Sequence, residues 1–253
     1  MTTPDRFTVD ALIIREQQIG ESDKLVTMLS RNNGVIKAYA SGAKSIKSKK
    51  GAATSLLAYS SVTLTKKGES LRISEATPIK VFFRAGDDIE ALSLAQYFCE
   101  LCINHAPNTD NCEAVLRLTL NSLHFLSERS RDVFLLKAIF ELRLLALTGY
   151  LPNLIACDGC AKYEDDIMYF DTNEGVLYCK SCKEYNSDCA VINMTLLTAL
   201  RHIVYSDLNK LFMFSIPEEA AKALSQVTER YLLNKTEQKP RTLSFFNSLF
   251  KGF

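Results

Sequence analysis

Four cysteines in this chain have the types and spacing to hold a metal ion. Cys157-Asp158-Gly159-Cys160 is followed by eighteen residues (161–178) and then by Cys179-Lys180-Ser181-Cys182. Two Cys-x-x-Cys pairs at this separation match a four-thiolate zinc site, in which each pair bites the ion from a tight turn. Four thiolates fill a tetrahedral shell and leave no position for water, so zinc held this way is structural and does no catalysis. Two disulfides, or four ordinary thiols, are the competing readings. The pair spacing and the gap between the pairs both favour zinc.

Other residues that could carry chemistry are less well placed. Cys99, Cys102 and His105 sit three residues apart, but no fourth ligand follows at matching spacing, so they read as core residues. Cys112 and Cys189 stand alone and have the same reading. His124 and His202 lie among apolar helix residues and read as packed or surface side chains. The chain has no Gly-x-Gly-x-x-Gly and no Gly-x-x-x-x-Gly-Lys-Ser/Thr, so no motif cradles a nucleotide phosphate.

The elements that must position the cysteines follow from periodicity. Met168-Tyr169-Phe170 and Val176-Leu177-Tyr178 flank Asp171-Thr172-Asn173-Glu174-Gly175, a hairpin that returns the second pair to the first. Before it, 87–105, 112–127 and 132–148 carry apolar residues at helical spacing, with Asp110 and Asp132 near the starts of the second and third. The third segment is apolar nearly all round and should form the centre of a bundle; Gly149 ends it and Pro152 prevents resumption. After the hairpin, 195–205 and 217–233 read as helices, with Pro217 at a first helical position. The tail, 235–253, interleaves Lys and Arg with Leu and Phe.

The front of the chain has a different period. Residues 9–15, 24–31, 35–43, 61–67 and 71–77 are short β-type runs separated by turn residues. Five strands in so short a stretch predict a closed OB-type barrel, with 52–58 as the short helix between the third and fourth strands. The expected fold class is therefore α+β with two domains. Residues 1–80 form the OB-fold nucleic-acid-binding domain, and residues 81–253 form a helical domain containing a zinc hairpin at 155–185.

Charge separates the same two regions. The 253 residues carry a net charge of +1, yet residues 1–80 carry +6 and residues 81–253 carry −5. A polyanion is expected at the basic front. Lys44, Lys47, Lys49 and Lys50 lie within seven residues on a small-residue loop that can follow a phosphate backbone without reading bases. Arg15, Lys24, Arg31, Lys37, Lys66, Lys67 and Arg72 extend this candidate surface over the barrel. Tyr39 and Tyr59 are candidates for stacking on bases, although each could instead be strand packing. The first ten residues contain Asp5, Arg6 and Asp10 and do not read as a signal peptide. No apolar run reaches the ~20 residues of a membrane span. Eight cysteines without a secretory signal fit a reducing compartment.

Several motifs together resemble a known family, the bacterial DNA repair protein RecO. Gly20-Glu21-Ser22-Asp23-Lys24-Leu25-Val26-Thr27 is similar to that family's first hairpin. Gly34 to Ala40, followed by Ser41-Gly42-Ala43-Lys44, is similar to its next strand and basic loop. The most specific match is Phe140-Glu141-Leu142-Arg143-Leu144-Leu145 running into Gly149-Tyr150-Leu151-Pro152 and Cys157. Two departures are Ala161, where glycine is common, and Glu174-Gly175, where Gly-Gly is common. The resemblance implies an N-terminal OB fold, a helical domain with a zinc hairpin, and a recombination-mediator function rather than an enzyme. Its members bind single- and double-stranded DNA and anneal complementary strands. With RecR, they load RecA onto strands coated by single-stranded-DNA-binding protein (SSB). Their helical domain receives the acidic, Phe-ending SSB tail, for which Arg201, Arg230, Lys235 or Arg241 could supply charge here. Some members lack the four cysteines, so zinc is not essential to the shared activity. A cytoplasmic, nucleoid-associated location follows.

Two other functions compete. An enzyme of nucleic-acid metabolism would need paired carboxylates in a cleft, whereas Asp87-Asp88 and Asp165-Asp166 read as a helix start and a hairpin surface. A zinc-containing RNA-binding regulatory or assembly protein with an OB domain is the other.

Overall fold

The computed structural model describes residues 6–43, 50–83, 88–107, 112–184, 186 and 188–250. Its contacts divide the chain into two compact units, residues 1–128 with 240–253, and residues 129–239.

The first unit begins with the expected barrel. Strands β1 (Arg6–Ile19), β2 (Asp23–Ser30), β3 (Gly34–Ala40), β4 (Ala58–Lys67) and β5 (Ser70–Val81) close in the order β1-β2-β3-β5-β4. β1 closes it by pairing antiparallel with both β2 and β4, and β3 meets β5 in parallel at Tyr39–Arg72. Alternation along β3 shows why this sequence makes a narrow barrel. Ile36, Ala38 and Ala40 point into the core while Lys37 and Tyr39 face outward, and the small alanines let the wall curve tightly. Ala11 to Ile14 in β1 break the alternation by being buried at all four positions. A register shift between Ile13 and Arg15 accompanies that run, and Leu57 donates its N–H to the Ile13 carbonyl.

β1 and β5 run further than expected. Glu16–Gln18 remain paired with Val26–Lys24 around the Gly20 turn, because ladder hydrogen bonds override the weak strand preference of these polar residues. The predicted helix at 52–58 is a single 3₁₀ turn, Ala52–Thr54.

Helices α1 (Ile89–His105), α2 (Glu113–Ser127) and α6 (Arg241–Leu249) complete this unit. Asp88 caps α1 through the Glu90 N–H at 3.0 Å. Cys112 occupies the cap position of α2, and Asp110 lies outside the described residues. α6 was an unassigned tail in the sequence. Its apolar residues Leu243 and Phe246 are buried as it packs on α1. The 1–80/81–253 division therefore differs from the contact division, which groups α1, α2 and α6 with the barrel.

The second unit contains α3 (Val133–Leu147), α4 (Met194–Tyr205), α5 (Glu218–Thr236) and a four-stranded sheet. The sheet comprises β6 (Asn153–Cys157), β7 (Ile167–Asp171), β8 (Val176–Cys179) and β9 (Cys189–Asn193), in the order β6-β8-β7-β9. The expected hairpin is β7–β8; β6 and β9, which flank it, were too short and mixed to read as strands. α3 is the central helix, as predicted, but it buries Lys137 and Glu141 among its apolar residues. Asp132 caps it through the Leu135 N–H at 2.9 Å. No described helix is long and apolar enough to cross a membrane.

Candidate metal centre and nucleic-acid surface

β6 and β8 run parallel, with Cys157 opposite Leu177, so the two Cys-x-x-Cys turns leave the sheet side by side. In the first turn, Ala161 donates its N–H to the Cys157 carbonyl at 2.8 Å; in the second, Cys182 donates to the Cys179 carbonyl at 3.0 Å. The four Sγ atoms lie within 4.8 Å of one another. Cys160 and Cys179 sulfurs are 3.6 Å apart. That separation is far beyond a sulfur–sulfur bond of about 2.05 Å and close to the ~3.8 Å edge of a tetrahedron with metal–sulfur bonds near 2.3 Å.

The surrounding backbone favours a thiolate at Cys157. Burial alone would push the Cys157 thiol up, but N–H donation from Cys179, Cys160 and Gly159 outweighs it and brings the group down to about 6. The Cys179 N–H lies 3.2 Å from Cys157 Sγ. Cys182, hydrogen-bonded to Cys160, Cys179 and Cys157, holds its proton up to about 12. Four adjacent sulfurs cannot all ionise without a cation between them, and a divalent metal supplies that charge. The donor set therefore suits a metal ion, with Cys157, Cys160, Cys179 and Cys182 as its ligands.

Neighbouring residues fix the turns. A Cβ at Gly159 would stand 3.0 Å from Cys182 Cβ and 3.1 Å from its sulfur, so a side chain there would crowd the second cysteine turn. Ala161 adopts φ 57°, a left-handed conformation that favours glycine over alanine. Asp171 accepts N–H bonds from Asn173 and Glu174, both at 3.0 Å, and pairs with Lys183 beyond the second cysteine turn at 2.5 Å. Gly175, at φ 79°, packs where a Cβ would lie 2.9 Å from Tyr231 Oη.

Three cations considered for the SSB tail are engaged within this unit. Arg201 donates to the carbonyls of Leu154, Ile155 and Tyr163 and covers the Tyr163 ring. Arg230 donates to the Cys189 carbonyl, and Lys235 bonds the carbonyls of Asn173 and Glu174. Their anchoring role was invisible in sequence because the acceptors are backbone atoms. Arg241 lies in the first unit, lining a hollow of about 560 Å³ with Arg15, Glu16 and Glu100.

The barrel separates its candidate cations into groups. Lys37 and Lys66 line a hollow of about 600 Å³ with Tyr39, Phe7, Leu25 and Leu71. Tyr39 is 38% exposed, and Arg72 pairs with it across the strands. Lys67 ends β4 opposite Ser70, and Glu69 enters the same hollow. Lys24 pairs with Glu16 at 2.9 Å, Arg31 with Glu113 at 3.5 Å, and Lys50 donates to the Ile73 carbonyl. Lys44, Lys47 and Lys49 lie outside the described residues. Tyr59 is half-buried opposite Leu12.

The remaining candidates have structural surroundings. Cys99 and Cys102 are buried in α1, with Cys102 Sγ 3.3 Å from Thr119 Oγ1, and burial pushes both thiols up. His202 contacts the Lys210 carbonyl and lies against Phe214. Asp88 is a helix cap and Asp165 pairs with Lys162 at 2.9 Å; Asp87 lies outside the described residues.

A closed five-stranded barrel of OB order, a helical region and a four-thiol centre define a class of modular proteins built around an OB fold. The family models for the N and C termini of recombination protein O match residues 1–82 and 86–244. The chain belongs to this RecO family. It is 31% identical to the DNA repair protein RecO of Acetivibrio thermocellus over 94% of this chain and 95% of that protein. The DNA repair proteins RecO of Symbiobacterium thermophilum and Dehalococcoides mccartyi strain CBDB1 are each 28% identical. They cover 96% and 98% of this chain, and 97% and 98% of their own lengths.

Proposed function

We propose that the chain is a recombination mediator. It binds single- and double-stranded DNA and anneals complementary strands. With RecR, it helps load RecA onto single strands coated by SSB, whose C-terminal tail it also contacts. It acts in the bacterial cytoplasm at the nucleoid, as a binding and annealing protein rather than an enzyme. The metal at Cys157, Cys160, Cys179 and Cys182 is zinc, because four thiolates in a tetrahedral arrangement favour that ion and need no redox chemistry.

One observation carries the DNA reading. Tyr39 presents its ring in a hollow bordered by Lys37 and Lys66, with Arg72 on the next strand. An aromatic face accepts a base while the cations follow the phosphates, which gives sequence-tolerant binding. Lys67 adds charge on the same hairpin as Lys66, and Arg15, Lys24, Arg31, Lys44, Lys47, Lys49 and Lys50 add to the positive charge of residues 1–80. Neutralising phosphates on two strands at once lowers their repulsion, and the bases supply the pairing energy.

The decisive assay mixes complementary strands coated with SSB, with and without the protein. Faster duplex formation is expected without nucleotide, and no acceleration would refute the reading. Lys37→Ala with Lys66→Ala should weaken DNA binding and lower the slope of log affinity against log salt by about two units, one for each lost phosphate contact. An unchanged slope in a filter-binding titration would place the phosphate path elsewhere. Metal analysis should find one zinc per chain, and substituting either cysteine pair should remove it.

A further inference from the structure

The hollow on the barrel holds an acid among its cations. Phe7, Leu25, Val35 and Leu71 give it a half-buried apolar floor, and Phe7 and Leu71 rest on the barrel core. Around that floor stand Lys37, Tyr39, Lys66, Asn33 and Glu69, all exposed. A site that only followed phosphates would gain nothing from Glu69, because a carboxylate repels the anions that Lys37 and Lys66 attract. Among the described residues, the Glu69 carboxylate has no cation or hydrogen-bond donor paired with it. Its position is nevertheless well fixed. Lys67 pairs with Ser70, which leaves only Gly68 and Glu69 in the turn between β4 and β5. Gly68 is left-handed at φ 62°, as the first central residue of a two-residue hairpin turn is. So short a connection ties the Glu69 backbone to the ladder, with its side chain at the hollow.

Bases differ in what they offer a carboxylate. Cytosine carries an amino donor at N4, where thymine and uracil carry the O4 acceptor. An ionised acid accepts a charge-assisted bond from the first and is repelled by the second. Thymine and uracil do have an N3–H donor, but two carbonyl oxygens flank it and repel an approaching carboxylate. An unpaired base stacked on an aromatic ring leaves its edge open to neighbouring side chains. The amide of Asn33 both donates and accepts, so it suits either base and selects neither.

We propose that Glu69 reads the edge of a base stacked on Tyr39, so that the hollow prefers cytosine to thymine or uracil while Lys37 and Lys66 hold the phosphates. This preference rests on the DNA-binding reading above. It is a modest bias, because the phosphate contacts are common to every sequence and supply most of the affinity.

Filter binding of single strands of about 12 nucleotides tests it at about neutral pH. Oligodeoxycytidylate is compared with oligodeoxyuridylate, two pyrimidine strands of like size that differ at the edge facing Glu69. The cytidylate should bind about fivefold more tightly. Both should give the same slope of log affinity against log salt, since they share their phosphate contacts. Glu69→Gln should bring the two affinities within about twofold of each other, because an amide also donates to O4. Simple relief of charge repulsion would raise both affinities equally, so the ratio isolates the base contact. Equal wild-type affinities for the two strands, or a ratio unchanged by Glu69→Gln, would overturn the proposal. Lys37→Ala with Lys66→Ala should weaken both strands and preserve their ratio. If that variant weakens both strands and the wild type shows no preference, the base reading alone falls. If it weakens neither, the hollow is not the DNA site and both readings fall together.

Discussion

Lys137 and Glu141 lie one turn apart in α3, and both are removed from solvent, at 1% and 0% side-chain exposure. Lys137 Nζ is 2.8 Å from Glu141 and 2.9 Å from Glu229, and Thr228 donates to Glu141 at 2.7 Å. A buried pair gains specificity from such complete partnering more than stability, but removing one member leaves the other charged and unmatched. Lys137→Met should therefore cost about 3–5 kcal/mol in urea unfolding. Adding Glu141→Leu should recover part of that loss, so the double variant falls short of the summed single effects. Additive losses would show that the two groups are not coupled. Ala161 gives the opposite sign. Ala161→Gly removes the penalty of its left-handed conformation and should raise stability by about 1 kcal/mol, read by denaturant titration of metal-loaded protein. No gain would mean that the turn relaxes at alanine without strain.

At the scale of elements, α6 depends on a single acid of another helix. Pro240 precedes α6 and offers no side-chain cap. Glu100 of α1 supplies the missing acceptors, taking N–H bonds from Arg241 at 3.0 Å and Thr242 at 2.9 Å and a hydroxyl bond from Thr242 at 2.5 Å. Burial alone would raise this carboxyl, but the Thr242 and Arg241 donors outweigh it and hold it below its usual value of 4.5. A depressed folded-state value means that the contribution is complete above about pH 4.5 and disappears as pH falls through the lowered value. Glu100→Ala should cost about 1 kcal/mol at neutral pH, with hydrogen exchange accelerated in α6. The difference from wild type should shrink in acid, and a constant difference down to pH 2 would contradict the assignment.

How far these elements were legible depends on the range of the forces that make them. Barrel strands with strict in-and-out alternation, such as β3, and helices with local caps, such as α3, could be read from neighbouring residues. α6 could not, because its cap lies 141 positions away at Glu100. β6 and β9 are also set by distant pairing partners. The four cysteines were evident from spacing alone, whereas their gathering depends on the β6–β8 register. On the barrel, counting cations could not separate Lys37 and Lys66, which face one hollow, from Lys24 and Arg31, which already have acidic partners.

For the whole molecule, the metal centre and the barrel belong to different compact units. Chelating the metal should therefore act unevenly. Removing a four-thiolate ion takes away the closure of β6–β8, and the binding energy of such a site is also folding energy. Hydrogen exchange of chelated protein should show lost protection in β6 to β9, while β1 to β5 keep theirs. Equal loss in both units would show that they unfold together.

The contact division also sets an order of events during synthesis. The chain leaves the first unit at residue 129 and returns to it at residue 240. Chains emerge from the ribosome N-terminal end first, and domains commonly fold as they appear. Here the barrel, α1 and α2 emerge early, but the helix that completes their packing is translated only after the whole second unit. A premature stop just ahead of α6 would spare every described strand and all four clustered cysteines while leaving the first-made half of the protein unfinished.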